Sequence, residues 1–232
     1  MKRFILALSG LLLISMLNAQ SLEEIVKKYT VANKLDKLST LSSIKITAKT
    51  SAMGNEMPVV LWMKNPNKIK SVTTVQEKEI VQAFDGEKGY MINPMMGSGD
   101  PVEMTPEQVN LTLKTSLFQN SMANYLKNGK LTLEGEEKVN EKPAFKIKVS
   151  LDEGFSYLFI DKSSFLLLKS SATMKQGGQE ITIDSYPSEY TETNGVFLPM
   201  KTTVSMMGME IITTFEKVEV NIPMDDSIFK IK

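Results

Sequence analysis

Few side chains in this sequence could carry out covalent chemistry. The chain has 232 residues and contains neither histidine nor cysteine. Thiol nucleophiles, Ser-His triads, zinc sites and haem ligation through histidine are therefore excluded. Ser42 and Lys45 match the S-x-x-K pattern of acyl-enzyme hydrolases, but the companion S-D-N and K-T-G motifs are missing. Because the pattern also runs into a predicted strand, we interpret it as a chance match.

Paired carboxylates are the remaining candidates for metal binding or acid-base chemistry. They occur at Glu23-Glu24, Glu136-Glu137 and Asp225-Asp226. The first pair falls in a predicted first helical turn, where the helix dipole favours acids. The other two fall near a turn and at the start of a strand, so all three are predicted to be solvated surface. No glycine-rich phosphate loop is present, and the sequence predicts a protein that is not an enzyme and has no metal and no cofactor.

Methionine is unusually frequent, with 16 in the chain. Because methionine is unbranched and polarisable, methionine-rich surfaces adapt to apolar partners of variable shape. The clusters indicate either a deformable binding surface or loose core filling with apolar hairpin tips. Two of them lie in methionine–glycine loops, which favours an adaptable rim. The clusters are Met53 with Met57; Met91, Met95 and Met96; and Met206, Met207 and Met209.

The first 19 residues are typical of a secretory signal peptide. Lys2-Arg3 is followed by an apolar run from Phe4 to Leu17, with Ala19 at the predicted cleavage site. The alternative is a membrane anchor, but the run is short for ~30 Å of hydrocarbon. We therefore expect an exported protein whose residues 20–232 form one domain. The 27 basic and 27 acidic residues give a formal charge of zero, which argues against nucleic acid as a partner.

Hydrophobic periodicity predicts a mainly β (α+β) fold. Helical spacing predicts one helix over 22–38 and a second from Thr105-Pro106 to Asn128-Gly129. Alternation with a period of two predicts eleven or twelve strands, separated by glycine-containing turns. We expect a large curved antiparallel sheet that forms an unclosed half-barrel, covered by two or three helices. Beyond a first strand from Ser43 and a meander over 130–151, the predicted strands are 57–64, 67–76, 79–85, 88–93, 154–161, 165–175, 179–190, 196–207, 209–220 and 226–231.

Two predicted strands are apolar on both faces, which an ordinary antiparallel sheet is not. Strand 57–64 places Met57, Val59, Leu61 and Met63 on one side, with Val60 and Trp62 on the other. Strand 154–161 behaves in the same way. One face can pack on helices while a concave patch takes an apolar guest. The alternative is a core filled by helices without a cavity, and the sequence does not separate the two.

Four segments of the chain resemble the LolA-like periplasmic carriers of outer-membrane lipoproteins, in the same order and spacing. They are LDKLSTLSSIKITAKT (35–50), LWMKNPNKIKS (61–71), IVQAFDGEKGYMINPMMG (80–97) and DDSIFKI (225–231). The resemblance implies an unclosed half-barrel with a helical lid over an apolar cavity for acyl chains. It also implies an inner-membrane releasing complex and an outer-membrane acceptor as partners. In well-studied carriers the position of Asn65 is an arginine that latches the lid, and asparagine cannot form its charged fork.

These observations predict a monomeric periplasmic carrier that binds the acyl chains of lipoproteins or similar lipids. The alternative is an envelope lipid-binding or sensor module on the same fold that does not transport lipoproteins. Asn65 is the predicted lid-latch position. The predicted cavity residues are Met63, Ile69, Val81, Met91, Leu117, Phe118 and Met122.

Overall fold

The structure, a computed structural model, describes residues 20–97, 99–114, 116–118, 121–151, 154–176 and 179–231. The predicted signal peptide lies outside these residues. The helices are α1 (Leu22–Ala32), α2 (Leu35–Ser39), α3 (Pro106–Lys114) and α4 (Ser121–Lys127). The strands are β1 (Ser43–Ala52), β2 (Asn55–Lys64), β3 (Lys68–Val75), β4 (Lys78–Phe84), β5 (Gly89–Ile92), β6 (Val102–Glu103), β7 (Leu131–Val139), β8 (Lys142–Ser150), β9 (Phe155–Asp161), β10 (Leu167–Gln176), β11 (Gln179–Thr193), β12 (Val196–Met206) and β13 (Met209–Val220).

All 13 strands form one antiparallel sheet that does not close into a barrel. The strand order is β6-β5-β4-β3-β2-β1-β13-β12-β11-β10-β9-β8-β7. The first strand therefore lies beside the last in the middle of the sheet, and β6 and β7 form its two edges. The predicted fold class, a mainly β half-barrel covered by helices, is confirmed.

The pairing register divides the sheet into two faces. Ile44 pairs with Met63 on β2 and with Val220 on β13, so these three side chains share a face. We call it the inner face, because the helices pack on it. Alternate residues, such as Lys45 opposite Trp62, form the outer face. The predicted separation of Met57, Val59, Leu61 and Met63 from Val60 and Trp62 is confirmed by this register.

The helices pack on the inner face in two apolar clusters. Leu38 of α2 and Phe118, after α3, are buried with Ile44, Met63 and Leu198. Ile25 and Val26 of α1 and Met122 of α4 are buried with Phe145, Ile147 and Ile160. Near β5, a Cβ atom on Gly89 would lie 2.7 Å from the Sδ atom of Met104 and 2.8 Å from Cγ2 of Val109. Glycine therefore lets the start of α3 approach the sheet closely.

The segment 104–130 links the two edges of the sheet across the inner face. It leaves β6 at one edge, carries α3 and α4, and enters β7 at the other edge. A capping box begins α3, because Thr105 N donates to Gln108 Oε1 (2.8 Å) and Gln108 N donates to Thr105 Oγ1 (3.3 Å). The helical part of this linking segment is therefore laid over the sheet by topology as well as by packing.

Five hairpins of the described chain have two-residue turns, and both turn residues have positive φ, the pattern of type I′ turns. Three of them, 53–54, 76–77 and 207–208, lie at one end of the sheet, which we call the hairpin end. Turns 140–141 and 194–195 lie at the opposite end, which we call the helix end, near α2. The inner face can thus be followed from the helix end to the hairpin end along each central strand.

The structure corrects three predictions of secondary structure. The predicted helix 22–38 is broken at Asn33 and Lys34, where Lys34 has a left-handed φ of 50°. The second predicted helix is also two helices, α3 and α4. Residues Asp226–Phe229, predicted to be a strand, form a 3-10 helix instead, because Asp225 caps it by accepting a hydrogen bond from Ser227 N at 2.8 Å.

Candidate functional site: the half-covered inner face

Burial on the inner face falls along each central strand from the helix end to the hairpin end. On β1 and β2 the side chains of Ile44 and Met63 are fully buried, with 0% exposure. Further along the same face Leu61, Val59 and Met57 are only half-buried. On these two strands the helices therefore cover one end of the face and leave the other half-exposed.

The adjacent strands β12 and β13 repeat this gradient. Val196 and Leu198 are buried at the helix end, whereas Val204 at the hairpin end is half-buried. Val218 of β13 is buried, whereas Ile211 is half-buried. Since the four strands β2, β1, β13 and β12 are neighbours, their half-buried ends form one continuous surface.

This surface, which we call the open inner face, is apolar and uncharged. The inner-face positions of β1, β2, β12 and β13 carry no charged side chain in the described chain. The hydroxyl groups of Thr50 and Thr213 hydrogen-bond each other at 3.0 Å, so they need no outside partner. The main apolar members of the surface are Met57, Val59, Leu61, Ile183, Val204, Met206, Ile211 and Phe215.

Several lysines lie on the outer face beside aromatic side chains. Lys146 lies 4.7 Å from the ring centre of Tyr157, and Lys148 lies 4.7 Å from that of Phe155. Trp62 is flanked by Lys45 and Lys70 at 5.7 and 5.9 Å. These cation–π contacts cover the outer aromatic side chains, so the two apolar faces predicted from the sequence have different surroundings.

The predicted cavity residues are divided among several places. Met63, Ile69, Leu117 and Phe118 meet in the cluster beneath α2, and Met122 lies in the cluster beneath α1 and α4. Met91 is on the inner face of β5, where its Sδ accepts a hydrogen bond from Gln82 Nε2 at 3.9 Å. Their predicted role in ligand binding stays a prediction.

Val81 lies on the opposite face from the other predicted strand residues. Ile69 pairs with Phe84, and Val72 pairs with Val81, so Val81 and Ile69 point to opposite sides of the sheet. The grouping of Val81 with Met63 and Ile69 therefore does not match the register. Both faces of this strand are apolar, and only the pairing partner tells them apart.

Asn65, the predicted latch position, connects the sheet to the end of α2. Its Nδ2 donates to the carbonyl oxygens of Leu41 at 3.0 Å and Ser39 at 3.3 Å. Its backbone N–H donates to the carbonyl oxygen of Ser42 at 3.0 Å. Asparagine thus binds backbone carbonyls here through neutral hydrogen bonds.

Half of the open inner face was not predicted from the sequence. The alternation of β2 predicted Met57, Val59 and Leu61. Ile211 and Phe215 of β13 were not predicted, nor, apart from Met206, were their neighbours on β11 and β12. A bulge in the β1–β13 pairing, between Thr47 and Ala48, interrupts the alternation of β13. The signal that could have found these residues is the short run of alternation before the bulge, Ile211-x-Thr213-x-Phe215.

Other features of the described chain lie away from this surface. A shallow apolar pocket of about 440 Å³ is lined by Glu24, Lys27, Lys28, Val31, Ala32 and Phe165, none of which is a predicted cavity residue. The described acids and other ligand types do not gather in groups of three that could hold a metal ion. None of the described helices is long and apolar enough to cross a membrane.

Two carboxylates away from the open inner face have lowered pKa values. Hydrogen bonds from Lys64 and Lys68 lower the pKa of Asp226 to about 2. Burial alone would raise the pKa of Asp161, but hydrogen bonds from Ser163 and Ser164 hold it below its usual range. Asp226 accepts a hydrogen bond from Lys64 Nζ at 2.7 Å. Asp161 accepts from the backbone N–H groups of Ser163 and Ser164, both at 2.8 Å.

Solved structures share this architecture. The chain is similar to a LolA superfamily protein from Nitrosomonas europaea, with a TM-score of 0.58 and 14% identity over 91% of this chain and 98% of that one. A domain from Vibrio parahaemolyticus described as an outer membrane lipoprotein-sorting protein gives 0.59 and 9% over 90% and 97%. A DUF1329 family protein from Desulfovibrio piger gives 0.58 and 12% over 89% and 97%.

These similarities show that the chain has a LolA-like fold. No protein-family model and no curated protein sequence matches the chain. At identities of 9 to 14%, the fold is what the structures share, and function has to be argued from the site.

Proposed function

We propose that this protein binds the acyl chains of lipoproteins on the open inner face and carries them across the periplasm toward the outer membrane. The observation that carries the proposal is the burial gradient: an uncharged apolar surface continues from a packed core into half-exposed side chains. Each CH₂ group that leaves water contributes about 0.8 kcal/mol. A lipid anchor therefore gains strongly from such a surface without any polar chemistry.

Methionine side chains on the open inner face support the same function. Acyl chains differ in length and conformation, so a binding surface for them benefits from adaptable side chains. Met57 and Met206 lie at the hairpin end of the open inner face, and methionine adapts readily because of its unbranched side chain. Helices over the other end would shelter the guest from water.

Ile211 and Ile212 offer a matched test of this proposal. They are neighbours of the same type, both half-buried, and they lie on opposite faces of β13. The experiment measures binding of a fluorescent triacylated lipopeptide to the purified protein. We expect Ile211→Asp to weaken binding at least about tenfold, about 1.4 kcal/mol, because it places a charge on the open inner face. Ile212→Asp should leave the affinity within about twofold of wild type, about 0.4 kcal/mol, because Ile212 lies on the outer face.

Two results would contradict acyl-chain binding on this face. One is no binding by the wild-type protein, and the other is equal weakening by both variants. Urea unfolding of each variant is the control, because a charge on either face can also destabilise the sheet.

Transport needs a test of its own, because an envelope sensor on this fold would also bind lipid. We propose that the protein acts in the periplasm as a monomer, receiving cargo from an inner-membrane releasing complex and passing it to an outer-membrane acceptor. Protein recovered from its native envelope should carry acylated polypeptides, detected by native mass spectrometry. A sensor is favoured instead if lipoproteins still reach the outer membrane in cells that lack this chain.

A further inference from the structure

Two of the five type I′ turns in the described chain have methionine at the first turn position. Such turns require positive φ at both residues, and asparagine or glycine accepts this most readily. Asn194-Gly195 follows the rule, and Gln76-Glu77 departs from it at both positions. The turns 53–54 and 207–208 are both methionine–glycine, with φ of 51° at Met53 and 50° at Met207. A left-handed φ is strained at a residue other than glycine.

The same two methionines are also exposed to water. Met53 has 80% and Met207 has 68% of its surface exposed. Exposure of a large apolar side chain and an unfavourable turn conformation thus coincide twice. The polar turn 76–77 lies at the same end of the sheet, so the hairpin end does not itself require methionine.

The two methionine turns are neighbours in space. Ala52, which precedes Met53, pairs with Ile211 of β13, so the two hairpins stand side by side. Met206 and Met209 pair with each other at the base of the second turn, and Met57 lies near the base of the first. The exposed methionines of the two turns, Met53 and Met207, therefore lie directly beside the open inner face. We call them the methionine tips.

We infer that the methionine tips form the portal through which the acyl chains of a lipid anchor reach and leave the open inner face. The inference rests on the proposed function and adds a route to it. A chain that has partly left the bilayer exposes CH₂ groups to water until it is bound. Contact with Met53 and Met207 shields those groups during the crossing, which lowers the barrier to transfer.

Substitution of both turns by the favoured residue separates this role from stability. In Met53→Asn/Met207→Asn we expect transfer of a fluorescent triacylated lipopeptide from phosphatidylcholine vesicles to slow by about tenfold, about 1.4 kcal/mol in the barrier. The equilibrium affinity should change less than about twofold, about 0.4 kcal/mol, because the open inner face is intact. The urea midpoint should stay the same or rise, because asparagine accepts positive φ more readily than methionine.

Two control variants make the result specific. Gln76→Asn alters a turn of the same type at the same end of the sheet and should leave the transfer rate unchanged. Met53→Leu/Met207→Leu keeps an apolar side chain in both methionine turns and should retain the wild-type transfer rate.

The portal is overturned if the double asparagine variant transfers lipopeptide at the wild-type rate, or if Gln76→Asn slows transfer equally. In either case the lipopeptide still binds, and acyl-chain binding on the open inner face stands. If wild-type protein binds no lipopeptide, acyl-chain binding fails and the portal fails with it.

Discussion

The two ends of the inner face differ in packing although they are built from the same strands. At the helix end, Ile44, Met63 and Val196 are buried beneath helices. At the hairpin end, Met57 and Val204 occupy the same face with partial exposure. One hydrophobic pattern can therefore form both a packed core and a half-exposed apolar surface. The sequence period sets which face of the sheet a side chain lies on, and the helices above that face set how much of it is buried.

The largest expected effect compares two methionines of β2. Met63 and Met57 share the inner face six residues apart, one fully buried and one half-buried. Met63→Ala should destabilise the protein by about 2–5 kcal/mol because it leaves a cavity in the core. Met57→Ala should cost less than about 1 kcal/mol but weaken lipopeptide binding. Urea unfolding and a binding titration check both, and equal stability losses would mean that the two ends are packed alike.

The second prediction concerns Asn65, whose side chain connects the sheet to the end of α2. Asn65→Ala deletes the donor to the carbonyl oxygens of Ser39 and Leu41, and we expect a loss of about 1–2 kcal/mol. Asn65→Asp keeps the shape but replaces the donor by an acceptor, so it should cost more at neutral pH.

Hydrogen exchange measures where that loss appears. Amides of α2 should exchange faster in Asn65→Ala, which would make the helix end resemble the hairpin end. Unchanged exchange in α2 would show that packing of Leu38 holds this helix without the asparagine.

The smallest expected effect concerns the outer face at Asp226, where Lys64 and Lys68 each lie 2.7 Å from a carboxylate oxygen. The pKa of Asp226 falls from its ordinary 3.8 to about 2 on folding. Its ion pairs therefore stabilise the protein fully above about pH 4, and this contribution disappears as the pH falls through about 2.

The difference in urea midpoint between wild type and Asp226→Asn should be constant above about pH 4 and close toward pH 2, the range set by the two pKa values. Added salt should narrow the difference at neutral pH, because both partners are solvent-accessible. A difference that does not vary with pH would show that the carboxylate charge is not what holds the C-terminal 3-10 helix.

The sequence predicted features that depend on local patterns. Period-two alternation predicted most strands, and Thr105-Pro106 predicted the start of α3. The break after α1 was not predicted, because it depends on a distant contact: the Nδ2 of Asn33 donates to the carbonyl oxygen of Tyr29 and also to that of Phe165. That second partner lies 132 residues away in the chain.

The candidate site was predicted in part for the same reason. The alternation of β2 assigned Met57, Val59 and Leu61 to one face, and the methionine–glycine loops indicated an adaptable rim. The face of Val81 needed the pairing of β3 with β4. The inner-face residues of β13 were hidden because the bulge opposite Thr47 and Ala48 changes the period within the strand.

The linking segment 104–130 has a mechanical consequence. It is fixed to β6 at one edge and to β7 at the other, so both of its ends are held by the sheet. Movement of its helices away from the sheet has to be taken up within the segment or by a change in the distance between the two edges. If a ligand between this segment and the sheet displaced the helices, the curvature of the sheet would change. The distance between β6 and β7 would then measure whether a ligand is bound.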